Sequence, residues 1–284
     1  MKQSPIVITG MHRSGTSLLS KIFLLNNVQL GSKLDVNYES IYFQRINKWI
    51  LSCNGSSWDN PGSLNDIDDN DKIILTKKLI NVINNRFNNS LYFGLKNMVL
   101  NNSFFNQSTR WGWKDPVNTF SLYIWKEIFP DIKIINIVRD PLDVCASLLI
   151  RQKNLQEIDM SYQKKIFSYF LPVLSINKGD VLSSFNISTI DDCLALYKKY
   201  LNQMHINNQI FKENILNLKF EELLIDSEHT LDKLFDFCDF SKFNISNSLK
   251  IIDKNVTNKY DANESLYNNN LLSSLDLNIL NVDG

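Results

Sequence analysis

The sequence predicts a three-layer α/β fold, with a mainly parallel central sheet flanked by helices. Two observations carry this expectation: short β-branched runs alternate with helical apolar patterns, and the first strand passes through a Gly-bounded loop directly into a helix. A third supports it, because the 284 residues are 44% hydrophobic and 21% charged, the balance of an ordinary globular chain. A chain of this length buries roughly three quarters of the surface its unfolded form exposes, so neither disulfides nor a structural metal are needed.

Pro5 to Thr9 reads as the first strand, and Leu18, Leu19, Ile22, Phe23 and Leu25 recur at helical spacing after it, so a helix begins near Thr16. Leu75, Leu79, Val82, Ile83 and Phe87 form one apolar helix face, and Trp111-Gly112-Trp113 reads as a strand. Phe120 to Phe129 is a buried helix stopped by Pro130, and Ile132 to Val138 is the strongest strand of the chain. A helix follows from about Leu142, then a strand over Ile215 to Leu218 and a helix over Leu223 to Phe237. Residues 153–188 lack this alternation and read as a helical insertion in a single domain spanning 1–284, with a variable tail after about 261.

Thirty Lys+Arg against thirty Asp+Glu leave no formal charge, which argues against nucleic acid or anionic lipid as a partner; any anion site is local. Cys53, Cys145, Cys193 and Cys238 are far apart, with neither zinc-type nor disulfide-framework spacing, and read as reduced and mostly buried. No stretch approaches the roughly twenty apolar residues of a membrane span and no signal-peptide core precedes the first strand, so a cytoplasmic location is expected. His12, His205 and His229 do not take a ligand-like spacing, and no metal site is expected.

The chemistry begins at Gly10-Met11-His12-Arg13-Ser14-Gly15-Thr16-Ser17. Two glycines five apart, followed by hydroxyl residues at a helix start, form a P-loop-like turn whose N–H groups converge on an anion. Thr16 stands where a nucleotide triphosphatase requires Lys, and the cation has moved into the loop as Arg13. A second motif follows the strand ending at Val138: Arg139-Asp140-Pro141-Leu142-Asp143-Val144-Cys145-Ala146-Ser147, where a forked cation opens the segment and a hydroxyl lies eight positions on. A third is Trp111-Gly112-Trp113-Lys114-Asp115-Pro116.

In order and spacing these three motifs resemble the sulfotransferases that use 3'-phosphoadenosine 5'-phosphosulfate (PAPS), above all the bacterial carbohydrate-type and protein-tyrosine enzymes. The resemblance covers about Pro5 to Phe240. It implies that Arg13, Ser14, Gly15, Thr16 and Ser17 bind the 5'-phosphosulfate and that Arg139 and Ser147 bind the 3'-phosphate. It implies that Lys114 reaches the bridging oxygen, where charge gathers as the S–O bond breaks. Arg13 would assist Lys114, and adenosine 3',5'-bisphosphate (PAP) would leave as product, with no metal required. Phe220 stands where relatives often have Tyr near the adenine; stacking survives that change and a hydroxyl contact does not. Phenol and steroid enzymes place a His two positions after the Lys, but here that position is Pro116, so their base cannot be carried over. Asn37-Tyr38-Glu39 resembles bacterial members in which a Glu follows the first helix, and Glu39 is the candidate base, with Asp35 and Asp59 as competitors. Asp115 is expected to orient Lys114 or to cap the next helix. The acceptor would be a glycan, a phenol or another small hydroxylated metabolite. A P-loop kinase or NTPase and a non-catalytic PAPS- or PAP-binding protein are the alternatives from other classes.

Overall fold

The computed structural model of the chain describes residues 3–62, 67–94, 103–159, 184–240 and 245–253. Four strands, β1 (Ile6–Thr9), β2 (Gly112–Lys114), β3 (Lys133–Val138) and β4 (Ile215–Lys219), form one parallel sheet in the order β2-β1-β3-β4. Around it lie α1 (Thr16–Leu25), α2 (Ile41–Ser52), α3 (Asp69–Asn84), α4 (Arg86–Phe93), α5 (Asn118–Ile128) and α6 (Pro141–Asp159). They are followed by α7 (Ile190–Phe211), α8 (Phe220–Ile225), α9 (Ser227–Phe237) and α10 (Ile245–Lys250).

The pleat of the sheet explains the layering. Val7, Trp113 and Ile134 point to a core shared with α2, α3, α4 and α5, whereas Ile6, Ile8, Ile135 and Ile137 point to a second core shared with α1, α8 and α9. A third apolar cluster joins Met11 in the first loop to Phe120 of α5, Val144 and Leu148 of α6 and Leu194, Tyr197 and Leu201 of α7. The first core is rich in aromatic rings: Phe43 lies flat on Trp113 at 3.8 Å, with Trp125 edge-on to Trp113 at 5.1 Å, which fixes β2 just before Lys114.

The expected strands and most helices are present. The apolar face expected to continue through Phe87 belongs to two helices, because Asn85 takes an extended conformation and its Oδ1 accepts from the N–H groups of Phe87 and Asn88, restarting the chain as α4. Likewise Asp226 divides the expected 223–237 helix into α8 and α9. Three helices were not read from the sequence, α2, α7 and the short α10. α2 has its strongest contribution from Tyr42, Phe43, Ile46 and Ile50, and α7 opens with a reciprocal capping box between Thr189 and Asp192. Of the expected insertion, residues up to 159 continue α6, residues 160–183 lie outside the described residues, and 184–188 lead into α7; the tail after about 261 also lies outside them. None of the four cysteines is in a disulfide, and three of them are buried. No helix among the described residues is long and apolar enough to cross a membrane.

Gly112 pairs with Ile6 across β1 and β2, and a Cβ there would lie 1.9 Å from the Ile6 carbonyl oxygen. Gly112→Ala is therefore expected to force the two strands apart and to destabilise the protein by about 3 kcal/mol. Urea titration checks this; an unchanged midpoint would mean that β2 yields freely.

Candidate active site

All four strands deliver a candidate residue at their carboxyl ends. β1 runs into the loop Gly10–Gly15, β2 ends on Lys114, β3 is followed by Arg139 and β4 by Phe220.

The loop is shaped by its own backbone. Gly10 and Gly15 have φ of 133° and 104°, and Arg13 is left-handed at 74°. A Cβ at Gly10 would lie 2.3 Å from the Ile137 carbonyl oxygen, and one at Gly15 would lie 2.3 Å from the Phe220 ring, so both glycines are required by close packing. Ser14 faces inward: its N–H and its Oγ both donate to the Met11 carbonyl, at 3.2 and 2.7 Å. α1 starts with no side-chain cap and no acidic residue in its first turn, which leaves the positive end of its dipole uncompensated by protein. Thr16 is buried at this start, and Ser17 Oγ donates to the Asn37 carbonyl at 3.0 Å.

Arg13 and Ser147, 134 residues apart, are in direct contact: Arg13 Nε donates to Ser147 Oγ at 2.9 Å. Arg139 is held from three sides. It pairs with Asp143 one helical turn on at 2.7 Å, its guanidinium lies 4.7 Å from the centroid of the Phe220 ring, and its carbonyl accepts from Tyr197 at 2.8 Å. Phe220 is thus a platform for Arg139 on one side and a contact for Gly15 on the other.

Lys114 is 2% exposed and pairs with Glu39 at 2.7 Å, Glu39 being 5% exposed. Lys114 Nζ also donates to the Asn37 carbonyl at 3.2 Å, and the second Glu39 oxygen accepts from Gln44 at 2.8 Å. Glu39 is aimed inward by a turn in which Asp35 Oδ1 accepts from the N–H groups of Asn37 and Glu39, both at 2.8 Å. Asp35 is therefore occupied in shaping the turn that presents Glu39. Asp59 accepts from Ser57, Ser184 and Asn186, and these bonds outweigh its burial and hold its carboxyl below the usual range.

Asp115 caps rather than orients Lys114. Its oxygens accept from Val117 N–H at 3.0 Å and from Asn47 at 2.9 Å. Asn47, wholly buried, also donates to Asn118 and accepts from Ser121 and Trp125, so all four of its hydrogen-bonding positions are used. Burial, then the charge of Glu39, raise the Asp115 pKa to about 7. His12 is held well below the usual histidine range by burial and then by the charges of Arg151, Lys114 and Arg13, and is neutral. Arg13 is drawn down by desolvation, then by Arg151 and Arg139. Three arginines and a lysine therefore crowd one region of a chain without net charge.

The model of the sulfotransferase family matches residues 5–244. The chain belongs to this family. Among solved structures, this sulfotransferase is similar to the sulfotransferase domain from the curacin biosynthetic pathway, at 14% identity over 89% of this chain and 78% of that one, TM-score 0.48. It is also similar to a sulfotransferase from Alicyclobacillus acidocaldarius, at 13% identity over 85% and 83%, TM-score 0.46. A mouse sulfotransferase complexed with PAP is similar at 16% identity over 89% of this chain and 63% of that one, TM-score 0.39. No curated protein matches the sequence.

The residues that sequence reading did not assign to the site are the supports: Gln44, Trp58, Arg151 and Tyr197, together with the Asn37 carbonyl. Arg151 carries the one readable signal, since Asp143, Ser147 and Arg151 recur every four residues on α6, just after Arg139, and share a face. The others act through the tertiary fold.

The Asp115 pKa carries a sign. Between about pH 4, where an unfolded aspartate ionises, and the folded value of about 7, the folded chain holds a proton the unfolded chain has released. Raising the pH through that window therefore lowers stability. The urea midpoint is expected to fall between about pH 5 and pH 7.5, and Asp115→Asn to reduce that fall; equal slopes in both proteins would contradict the assignment.

Proposed function

We propose that the chain is a single-domain sulfotransferase that moves a sulfuryl group from PAPS to an acceptor hydroxyl and releases PAP. The observation that carries this reading is the 2.9 Å bond from Arg13 to Ser147, which joins the loop expected to hold the phosphosulfate to the helix expected to hold the 3'-phosphate. The residues fit such a ligand. The uncapped start of α1 and Arg13 supply donors for one anionic end, and Arg139 with Ser147 supplies a fork and a hydroxyl for the other.

In the reaction, the acceptor hydroxyl gives its proton to Glu39 as its oxygen bonds to sulfur, while the bond from sulfur to the bridging oxygen breaks and its electron pair leaves with PAP. Lys114 and Arg13 meet the charge that develops on the leaving phosphate. The 2.7 Å contact between Lys114 and Glu39 sets base and cation side by side, where an acceptor oxygen and a leaving oxygen must also lie. Glu39 is favoured over Asp35 and Asp59, because it contacts Lys114 directly, whereas Asp35 shapes the turn that presents it and Asp59 is bonded to Ser57 and Ser184. Phe220 serves the site through Arg139 and Gly15. The acceptor is a small hydroxylated molecule or a glycan.

Incubation with labelled PAPS and a panel of hydroxylated acceptors, with mass detection of sulfated products, tests the reading; PAP binding without transfer to any acceptor would favour a binding protein instead. Lys114→Ala is expected to lower turnover by roughly two to three orders of magnitude with PAP affinity nearly unchanged, and wild-type turnover would remove Lys114 from the chemistry. Arg139→Ala is expected to weaken PAP binding by roughly tenfold or more while leaving AMP binding little changed. An equal loss for PAP and AMP would count against a 3'-phosphate contact.

A further inference from the structure

Four cations lie in the site region, and their pairing is unequal. Lys114 is matched by Glu39 and Arg139 by Asp143, at 2.7 Å each. Arg13 and Arg151 have no carboxylate partner among the described residues. Arg13 is accounted for by the phosphosulfate loop and by Ser147. Arg151 is not accounted for by the donor.

Arg151 stands one helical turn beyond Ser147 on α6 and lies 5.5 Å from the centroid of the Trp58 ring. His12 also lies edge-on to Trp58 at 4.9 Å, and Tyr200 is edge-on to His12 at 6.4 Å. His12 Nε2 is covered and makes no hydrogen bond among the described residues. The charges of Arg151, Lys114, Arg13 and Asp59 all act on this imidazole.

This wall is built rather than loosely draped. Tyr200 donates to the Trp58 carbonyl at 3.3 Å, Lys199 to Asn60 at 3.1 Å, and Ser184 and Asn186 to the Asp59 carboxylate at 2.5 and 3.1 Å. The Asp59 carboxylate beside Trp58 is taken up by Ser57, Ser184 and Asn186 and forms no ion pair with Arg151 among the described residues, so that arginine can still pair with a bound anion.

We propose that Arg151, with Trp58 and His12, forms a subsite for an acceptor that carries a fixed negative charge, such as a carboxylate, beside the hydroxyl to be sulfated. The proposal rests on the sulfotransferase reading above and narrows its acceptor class. Arg151 pairs with the acceptor's anion and Trp58 supplies an apolar face for its ring, with His12 packed edge-on against that tryptophan. The donor's own anionic groups are met by Arg13, Lys114, Arg139 and the α1 start, which leaves Arg151 to the second substrate.

Two probe pairs that differ in charge test it by isothermal titration into PAP-loaded protein: phenyl β-D-glucuronide against phenyl β-D-glucoside, and 3-(4-hydroxyphenyl)propionate against its amide. The anionic member of at least one pair is expected to bind about tenfold more tightly, the effect of one charge-assisted bond. Arg151→Gln is expected to erase that preference with PAP affinity unchanged, and Arg151→Lys to keep part of it. The proposal is overturned if neither pair shows a preference, if the preference survives in Arg151→Gln, or if that variant loses PAP affinity, which would assign Arg151 to the donor. Should wild-type protein fail to bind PAP, the donor reading fails, and the same pairs titrated without nucleotide decide the subsite by the same criteria.

Discussion

The buried ion pair between Lys114 and Glu39 is the constraint around which the site is arranged. Two charges withdrawn from water cost several kcal/mol each unless their remaining valences are met. Here they are: Gln44 donates to the second Glu39 oxygen, the Asn37 carbonyl takes a second Lys114 proton, and the Asp35 turn orders both. Beneath them, Asn47 ties α2 to Asp115, Asn118, Ser121 and Trp125, so the β2 end that carries Lys114 is fixed to two helices at once. A lysine so held loses little further freedom when it turns to a developing negative charge, which is the condition for electrostatic catalysis.

Much of this was legible in the residues. Strand, glycine-bounded loop and helix at 5–25 were readable because a parallel strand buried on both faces is a continuous β-branched run and because few residues other than glycine tolerate the loop's φ values. Arg139 and Ser147 were readable as a pair through the resemblance of the 139–147 segment to the family's 3'-phosphate motif, a cation at the strand end and a hydroxyl on the helix that follows. α2 was not, although Tyr42, Phe43, Ile46 and Ile50 follow the helical period, because the polar residues Gln44, Arg45, Asn47 and Lys48 dilute the pattern and Asn47 is buried rather than exposed. The break at Asn85 was hidden for a related reason. Its apolar neighbours continue the period on both sides, and only the side-chain bonds to Phe87 and Asn88 show that the helix restarts.

Local charge decides what the net charge conceals. Acidic and basic residues are equal in number, yet Arg13, Lys114, Arg139 and Arg151 are drawn together by the loop, by β2, by the end of β3 and by α6. Carboxylates accompany two of the four, so the region keeps an excess of positive charge that a small, highly charged substrate relieves. His12 is held low by burial first and by these cations second.

The loop bearing Trp58 is tethered by Tyr200 and Lys199 of α7 and by Ser184 and Asn186 just ahead of it, and it meets the glycine-bounded turn at the end of β1 through ring packing on His12. One flank of the cleft can accordingly drift during evolution, or be exchanged by grafting, while the nucleotide cradle stays as it is. A lineage built in this way diversifies its products by replacing a cassette, without inventing its chemistry again.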